Sequence, residues 1–562
     1  MRREVSVVNK KVCSFPILFA LLALLIGTCA VVFPASAQAA PTSTGSITVS
    51  GTVASSYDAY QIFSANVVDG DGDAKIATDL AWANDAARDA ALPVLHSVGM
   101  PNSQTTAQEA AEWLNTDSHL TSALSAQLAR SLQSSGAEPV ALNAGTAAEL
   151  PCGYWLIVAD DDAIAQNEAG TAPIMALVGG SAVTVKPKAA TPKVAKHVLE
   201  DSTAAWGKAA DATVADDLYW RLSATVPAGL AAYDTYAVQF VDTMSAGLDP
   251  SKVAASMRVY VAAGADGGFD AVSTGKDGRA GTEPAKGWTD ITAQCATKVA
   301  ADGTFTVRTG DLIAALGGAD AFTAGARVVA VYNAPLNSAC NHGIAKGNPN
   351  EVYLRYPRSP FADQSGDAGF TRTPSDDACA YTWDLALTKR GSDGDKPLAG
   401  AVLSIADDRG RTLAADGTWD AEGKATVTTG EDGRVTVSGV DSGKLEVREL
   451  KAPKGYAAFE GTRSVTVKAE CLDVDQVAAA KPKLTITAES PLRADSADGS
   501  TGSLEASLIN TPTGTPPSTI TGGFMPSTGD MAMYAAAAAA VAGAALLVVA
   551  LLIKRGGGSH TE

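Results

Sequence analysis

The chain has 562 residues, 46% of them hydrophobic, and a formal net charge of −18. That length suits three or four domains of ordinary size. The acidic surplus excludes a nucleic-acid partner, whose phosphates would repel it, and suits an exported soluble surface.

The first element is "MRREVSVVNKKVCSFPILFALLALLIGTCAVVFPASAQAA". Basic residues, an apolar stretch and a small-residue exit predict a secretory signal over 1–39, cut after Ala37 or Ala39, rather than a lasting anchor helix. Two of the seven cysteines, Cys13 and Cys29, leave with it. Cys152, Cys295, Cys340, Cys379 and Cys471 remain, and an odd number leaves at least one unpaired or intermolecular. Co-location within units would pair Cys379 with Cys471 and Cys295 with Cys340. None has C-x-x-C spacing, so no metal or cofactor is expected.

Segments of period two then recur: "SITVSGTV", "GYWLIVAD", "LYWRLSATV", "RVVAVY", "EVYLRY", "GRVTVSGV", "KLEVREL", "RSVTVKA" and "KLTITA". Gly, Asp and Asn turns separate them, which predicts a mainly β chain of tandem sandwich domains. One helical insert interrupts the first domain. From about Thr78 to Leu132, Ala and Leu recur at helical spacing among polar residues. "DGDGD" at Asp69–Asp73 lacks the downstream Glu of a calcium loop and reads as a hairpin turn.

Linkers are expected at Val183–Lys196, where Pro187 and Pro192 bar a central strand throughout, and at Asp363–Ala378. Thr511–Gly523 reads as an extended Pro/Thr stalk. The expected units are therefore 40–187, 188–375 and 376–511, followed by the stalk at 512–524. Residues 531–553 are apolar and long enough to span a bilayer, and Lys554 and Arg555 would hold the tail on the cytoplasmic side.

Before that span stands Met525-Pro526-Ser527-Thr528-Gly529. With the span and the basic tail, 525–562 resembles the cell-wall sorting signal of Gram-positive surface proteins. The resemblance implies that a sortase cleaves Thr528–Gly529 and passes the acyl group to an amine, on peptidoglycan or on another subunit. Met stands where that family has Leu, a swap of similar size. A permanent single-pass anchor is the plainer alternative.

The third unit resembles the Cna B-type domain of sortase-assembled pilins, through "LALTKRGSDGDKPLAGAVLSIAD", "TTGEDGRVTVSGVDSGKLEVRELKAPKGY" and "SLINTP". In that family a Lys and an Asn form an intramolecular isopeptide bond under a catalytic Glu. The matching residues are Lys389, Asn510 and Glu449. The chemistry suits the types. An amine attacks a carboxamide only when neutral, so the lysine must be buried. A protonated Glu449 could polarise the Asn510 carbonyl and carry the proton to ammonia.

The middle unit resembles the second domain of the same pilins, through "KPKAATPKVAKHV", "DDLYWRLSATVP", "YAVQFVDTMSAGLDP" and "GNPNEVYLRYPRSP". Its lysine maps to Lys196 and its catalytic acid to Asp242. The asparagine expected near the end of the last strand is missing, because that stretch reads Tyr356-Pro357-Arg358-Ser359-Pro360. Asn348 or Asn350 would have to stand in. The first unit resembles the family's N-terminal domain through "ITVSGTVASSYDAYQIFSA" and "ELPCGYWLIVADD". It has no lysine between Ile47 and Ala74, so no bond is expected there.

Backbone subunits of that family carry an acceptor lysine in a Val-x-Val-Tyr-Pro-Lys-like stretch. The match is Val183-Thr184-Val185-Lys186-Pro187-Lys188, which makes Lys188 the expected acceptor and Lys186 and Lys193 its substitutes. The resemblance thus implies a structural subunit of a pilus, anchored to the cell wall, with sortase, peptidoglycan and other subunits as partners. The alternative is a singly anchored adhesin or an ancillary subunit that binds host glycans or matrix proteins, with the Gly-rich loop Ala262–Gly281 as one candidate surface. An enzyme is not expected. The histidines are His96, His119, His197, His342 and His560, none beside a nucleophile motif, and G-x-S-x-G is absent.

Overall fold

The computed structural model describes residues 43–514, apart from 73, 117–118, 188–190, 265–286, 323–324, 471–476 and 478–481. The expected signal 1–39, Met525–Gly529, the span 531–553, Lys188, Cys471 and most of the Gly-rich loop lie outside the described residues. No described helix is long and apolar enough to cross a membrane.

The chain is mainly β and builds three sandwich units in sequence. In the first, Ile47 and Val49 of the strand Thr44–Val49 are 1% exposed while Ser46 and Thr48 are half-buried. This is the alternation that the period-two pattern predicts. That strand lies between Ala147–Pro151 and Val183–Val185. The larger sheet centres on Ser56–Asp69. Asp69 ends this strand, and the turn that follows it leads into Lys75–Trp82.

Three helices cover that sheet: α1 (Asp85–Ser97), α2 (Ala107–Asn115) and α3 (Ser122–Ser134). Asn84, Thr106 and Thr121 cap them by accepting backbone N–H bonds, and Thr106 with Glu109 forms a reciprocal box. The helical insert therefore starts later than expected. Thr78–Trp82 is strand, because it pairs across the sheet, Thr78 with Asn66, Ala81 with Ser64 and Trp82 with Phe63.

The middle unit packs two sheets face to face. One runs Ala205–Gly207, Lys193–Glu200, Tyr219–Val226, Ala326–Asn333, Arg258–Ala263 and Thr289–Asp290. The other carries Ala209–Asp211, Asp376–Tyr381, Asn348–Pro357, Gln239–Met244, Thr304–Arg308 and Ala296–Val299. Asp376–Tyr381 was expected to open the third unit. It pairs with Asn348–Val352 and with Ala209–Asp211, so it closes the middle sandwich.

Only Thr382 separates that strand from Trp383–Gly391, the first strand of the third unit. Trp383–Gly391 lies between Arg434–Val440 and the last strand, Ser503–Asn510, which it meets in parallel. The opposing sheet includes Val402–Ala406, Gly443–Lys451, Thr462–Glu470 and Lys483–Ala488.

The joint between the middle and third units is an extensive polar contact. Asp211 Oδ2 accepts from Trp383 Nε1 at 2.5 Å and from the Ser442 backbone N–H at 2.9 Å. Asp216 takes a two-pronged bond from Arg411 and another from Arg409. Gly439, at φ +69°, packs so closely that a side chain there would strike Val214 at 2.4 Å.

Beneath these pairs Glu200 lies against Asp211, and burial pushes the Glu200 carboxyl up to about 8, with Asp211 adding to the rise. Asp441 is driven the same way. A raised carboxyl binds a proton in the fold that it lacks when unfolded. Its contribution is thus fully present below the ordinary Glu range and is lost as pH rises through about 8. Thermal melts from pH 5 to 9 should show stability falling over that window. Glu200→Gln should flatten the fall by on the order of 1–2 kcal/mol. An unchanged slope would show that Glu200 is not the titrating group.

Candidate functional site

The third unit's cluster follows from strand alternation. Trp383, Leu385, Leu387 and Lys389 share one face of the first strand, and each is 0–1% exposed. The lysine thus takes a core position behind three large apolar side chains. On the opposing sheet the same parity turns Leu445, Val447 and Glu449 inward. On the last strand Asn510 is 2% exposed. Lys389 pairs with Leu508 in the parallel register and Gly391 with Asn510, which makes Lys389 and Asn510 diagonal neighbours on one face.

Lys389 Nζ lies 3.3 Å from Glu449 Oε1 and 3.5 Å from the Leu508 carbonyl oxygen. Asn510 Nδ2 donates to both Glu449 oxygens, at 2.9 and 3.0 Å. Phe459 N–H donates to Oε2 at 3.1 Å and fixes the carboxyl. Burial brings the Lys389 amine down to about 8, against the pull of Glu449, so a neutral amine is accessible near physiological pH. Asn510 Oδ1 is buried with no hydrogen-bond partner. A half-turn of the amide would present that oxygen to the Glu449 carboxyl. A buried amine, a carboxyl and a carboxamide therefore meet in one dry pocket.

The middle unit holds a second buried cluster of lysine, carboxylic acid and asparagine, joined here by a tyrosine. Lys196 and Tyr332 come from one sheet, Asp242 and Asn350 from the other, and all four are 0% exposed. Lys196 Nζ pairs with Asp242 Oδ2 and donates to the Tyr332 hydroxyl at 2.9 Å. Tyr332 in turn donates to Asp242 Oδ2 at 3.1 Å. Asn350 Nδ2 donates to the Tyr332 oxygen at 2.9 Å, and Asn350 Oδ1 has no partner. The lysine lies 5.5 Å from the Trp220 ring centroid and 5.4 Å from that of Tyr332. Burial lowers Lys196 to about 8 and raises Asp242.

Of the two asparagines left open by the sequence, Asn350 lies at this cluster. Asn348 is equally buried, but its amide bonds the carbonyls of Asn341 and Ala380 and accepts from Asn341 N–H, which ties down its loop. Tyr332 escaped the sequence reading. Its signal was present in "VVAVYN", where a hydroxyl shares the core parity of Val328 and Ala330.

The first unit's described residues contain no such cluster. Lys75 instead donates to the carbonyls of Gly179 at 2.5 Å and Ser181 at 2.7 Å, and Asp69 accepts from Ser181 N–H. This ties the hairpin to the approach of Val183–Val185. Lys186 and Lys193 are exposed on either side of the junction whose Lys188 is not described. The pairing of Cys295 with Cys340 is not formed. Cys152, Cys295, Cys340 and Cys379 are all unbonded. Cys295 Sγ is taken up by the Ile291 carbonyl and Cys340 Sγ sits 3.6 Å from His342 Nε2. Burial raises both thiols above their ordinary range, Cys295 to about 11, which disfavours the reactive thiolate.

Residues 384–479 match the family model described as SpaA, prealbumin-like fold domain. The trypsin-resistant surface T6 protein of Streptococcus pyogenes serotype M6 is 30% identical over 143 residues, 24% of this chain and 24% of that protein. The match thus spans about a quarter of the curated relative's length. Among solved structures, the T6 backbone pilin of serotype M6 Streptococcus pyogenes shares 16% identity at TM-score 0.45, covering 84% of this chain and 98% of that one. The full-length major pilin SpaD of Corynebacterium diphtheriae shares 15% at TM-score 0.41, over 84% and 98%. The Bacillus cereus major pilin subunit BcpA shares 10% at TM-score 0.37, over 84% and 99%.

Proposed function

We propose that this chain, whose residues 384–479 match the SpaA prealbumin-like fold model, is a structural subunit of a covalently assembled pilus on a Gram-positive cell surface. The observation that carries the reading is the buried cluster of Lys389, Glu449 and Asn510, held between the first and last strands of one unit. In this reading Lys389 Nζ attacks the Asn510 side-chain carbonyl, Glu449 shuttles the proton and ammonia leaves. The chain's only chemistry is then performed on itself. The middle unit forms the equivalent bond between Lys196 and Asn350, with Asp242 as acid.

A pilus shaft carries tension from one end of each subunit to the other. In the third unit force enters at Trp383–Gly391 and leaves after Ser503–Asn510, and these strands are parallel neighbours. Tension would shear their ladder. A covalent tie across it lets force bypass the sandwich.

Assembly rests on the sequence alone: Thr528 as acyl donor to sortase, Lys188 as acceptor, and peptidoglycan as final anchor. Cell-wall extracts test it. The wild type should give a high-mass ladder, and Lys188→Ala should collapse the ladder to monomer. Deletion of Met525–Gly529 should remove the protein from the wall fraction. A ladder that persists in Lys188→Ala would move the acceptor role to Lys186 or Lys193. Unchanged wall linkage without the pentapeptide would overturn the sorting assignment.

A further inference from the structure

We infer that the Tyr332 hydroxyl is a catalytic group in the middle unit's bond formation, relaying a proton between Asp242 and the departing nitrogen of Asn350. The inference rests on the proposed Lys196–Asn350 bond and deepens it.

The two clusters differ in how the carboxyl meets the amide. In the third unit the carboxyl itself reaches the leaving amide, since both Glu449 oxygens accept from Asn510 Nδ2. In the middle unit the acid is Asp242, shorter by one methylene, and no hydrogen bond joins it to Asn350. The Tyr332 oxygen fills that gap. It accepts from Asn350 Nδ2 at 2.9 Å and from Lys196 Nζ at 2.9 Å, and it donates to Asp242 Oδ2 at 3.1 Å. One buried hydroxyl thus touches nucleophile, acid and leaving group at once.

The position is held firmly. Tyr332 pairs with Trp220 across the sheet, and its ring meets Phe305 edge-on at 4.8 Å between centroids. It is fully buried, so water cannot substitute for it.

The proton balance needs such a path. Take the pair as neutral amine and protonated acid. Lys196 Nζ attacks Asn350 Cγ, the Nζ–Cγ bond forms, and the Cγ–Nδ2 bond breaks. One of the two amine protons stays on the new amide nitrogen. The other passes to Asp242 as Asp242 gives its own to the Tyr332 oxygen. Tyr332 simultaneously gives its hydroxyl proton to Nδ2, which leaves as ammonia. Asp242 and Tyr332 end as they began. Burial favours this starting state, since it lowers Lys196 and raises Asp242.

The test is mass mapping of proteolytic fragments from the secreted chain, with refolded protein followed over time. The wild-type middle unit should be one ammonia lighter than its sequence. Tyr332→Phe should keep the native near-UV signal and the third unit's loss of ammonia, while its middle unit forms the bond on the order of a hundredfold more slowly. Combining Tyr332→Phe with Asp242→Glu should restore much of the rate, because the longer acid reaches the amide as Glu449 does. Wild-type kinetics in Tyr332→Phe would overturn the inference. So would a slow variant that has lost its near-UV signal or is not rescued by Asp242→Glu, which would make Tyr332 a packing residue. A wild-type middle unit at full sequence mass would remove the underlying bond, and the relay with it.

Discussion

Glu449→Ala yields a third unit heavier than the bonded form by one ammonia, after allowance for the substitution. Without its acid, Lys389 remains a buried amine beside an unreacted Asn510. Two losses then add. The crosslink closes a loop of about 120 residues, which by chain entropy is worth on the order of 5 kcal/mol. The amine also loses its charge partner, and orphaning one member of a buried pair costs about 3–5 kcal/mol. The unit should melt on the order of 20 °C earlier and be cut readily by trypsin. Asn510→Ala separates the two losses, because it removes the bond and leaves the Lys389–Glu449 pair. Calorimetry of both variants beside the wild type is the check. Equal melting of Glu449→Ala and the wild type would mean that no bond stabilises this unit.

The second large effect lies in the middle unit. Asn350→Ala should abolish its crosslink while keeping the Lys196–Asp242 pair and its contact with Tyr332. The loop from Lys196 to Asn350 exceeds that of the third unit, so its closure is worth about 5 kcal/mol as well. That bond would join opposite sheets of the sandwich, where the third unit's would join neighbouring strands of one sheet. Asn348→Ala serves as the contrast. It should leave the mass deficit intact and loosen only the Asn341–Ala380 contacts. If Asn348→Ala abolishes the deficit and Asn350→Ala does not, the partner assignment is reversed.

Much of this was legible in the sequence. Period-two patterning announced the strands, while Lys389 was singled out by the family resemblance and the need for a neutral amine; its shared parity with Leu385 and Leu387 is what buries it. The middle cluster was harder for a definite reason. Asn348 and Asn350 have the same parity and the same burial, so no alternation rule separates them. Only the register, with Asn350 opposite Met244 and diagonal to Asp242, decides which one lies at the cluster. Tyr332 was hidden because a tyrosine in a Val-rich strand reads as ordinary core, and its hydroxyl gains meaning only from the facing sheet.

The linker reading of Asp363–Ala378 rested on composition. "TRTPSDDA" is polar enough for a linker, yet Asp376 accepts from Lys196 N–H and pairs with Lys208, which explains its acidity inside a sheet. The acidic joint of Glu200, Asp211 and Asp441 is spread over 242 positions of sequence and left no local motif.

Intact-mass spectrometry of the untreated wild-type ectodomain tests the central claim most directly. The account predicts a mass two ammonia molecules below that of the sequence, with one loss mapping to Lys389–Asn510 and one to Lys196–Asn350. A chain at its full sequence mass, with both lysines recovered unmodified, would contradict it.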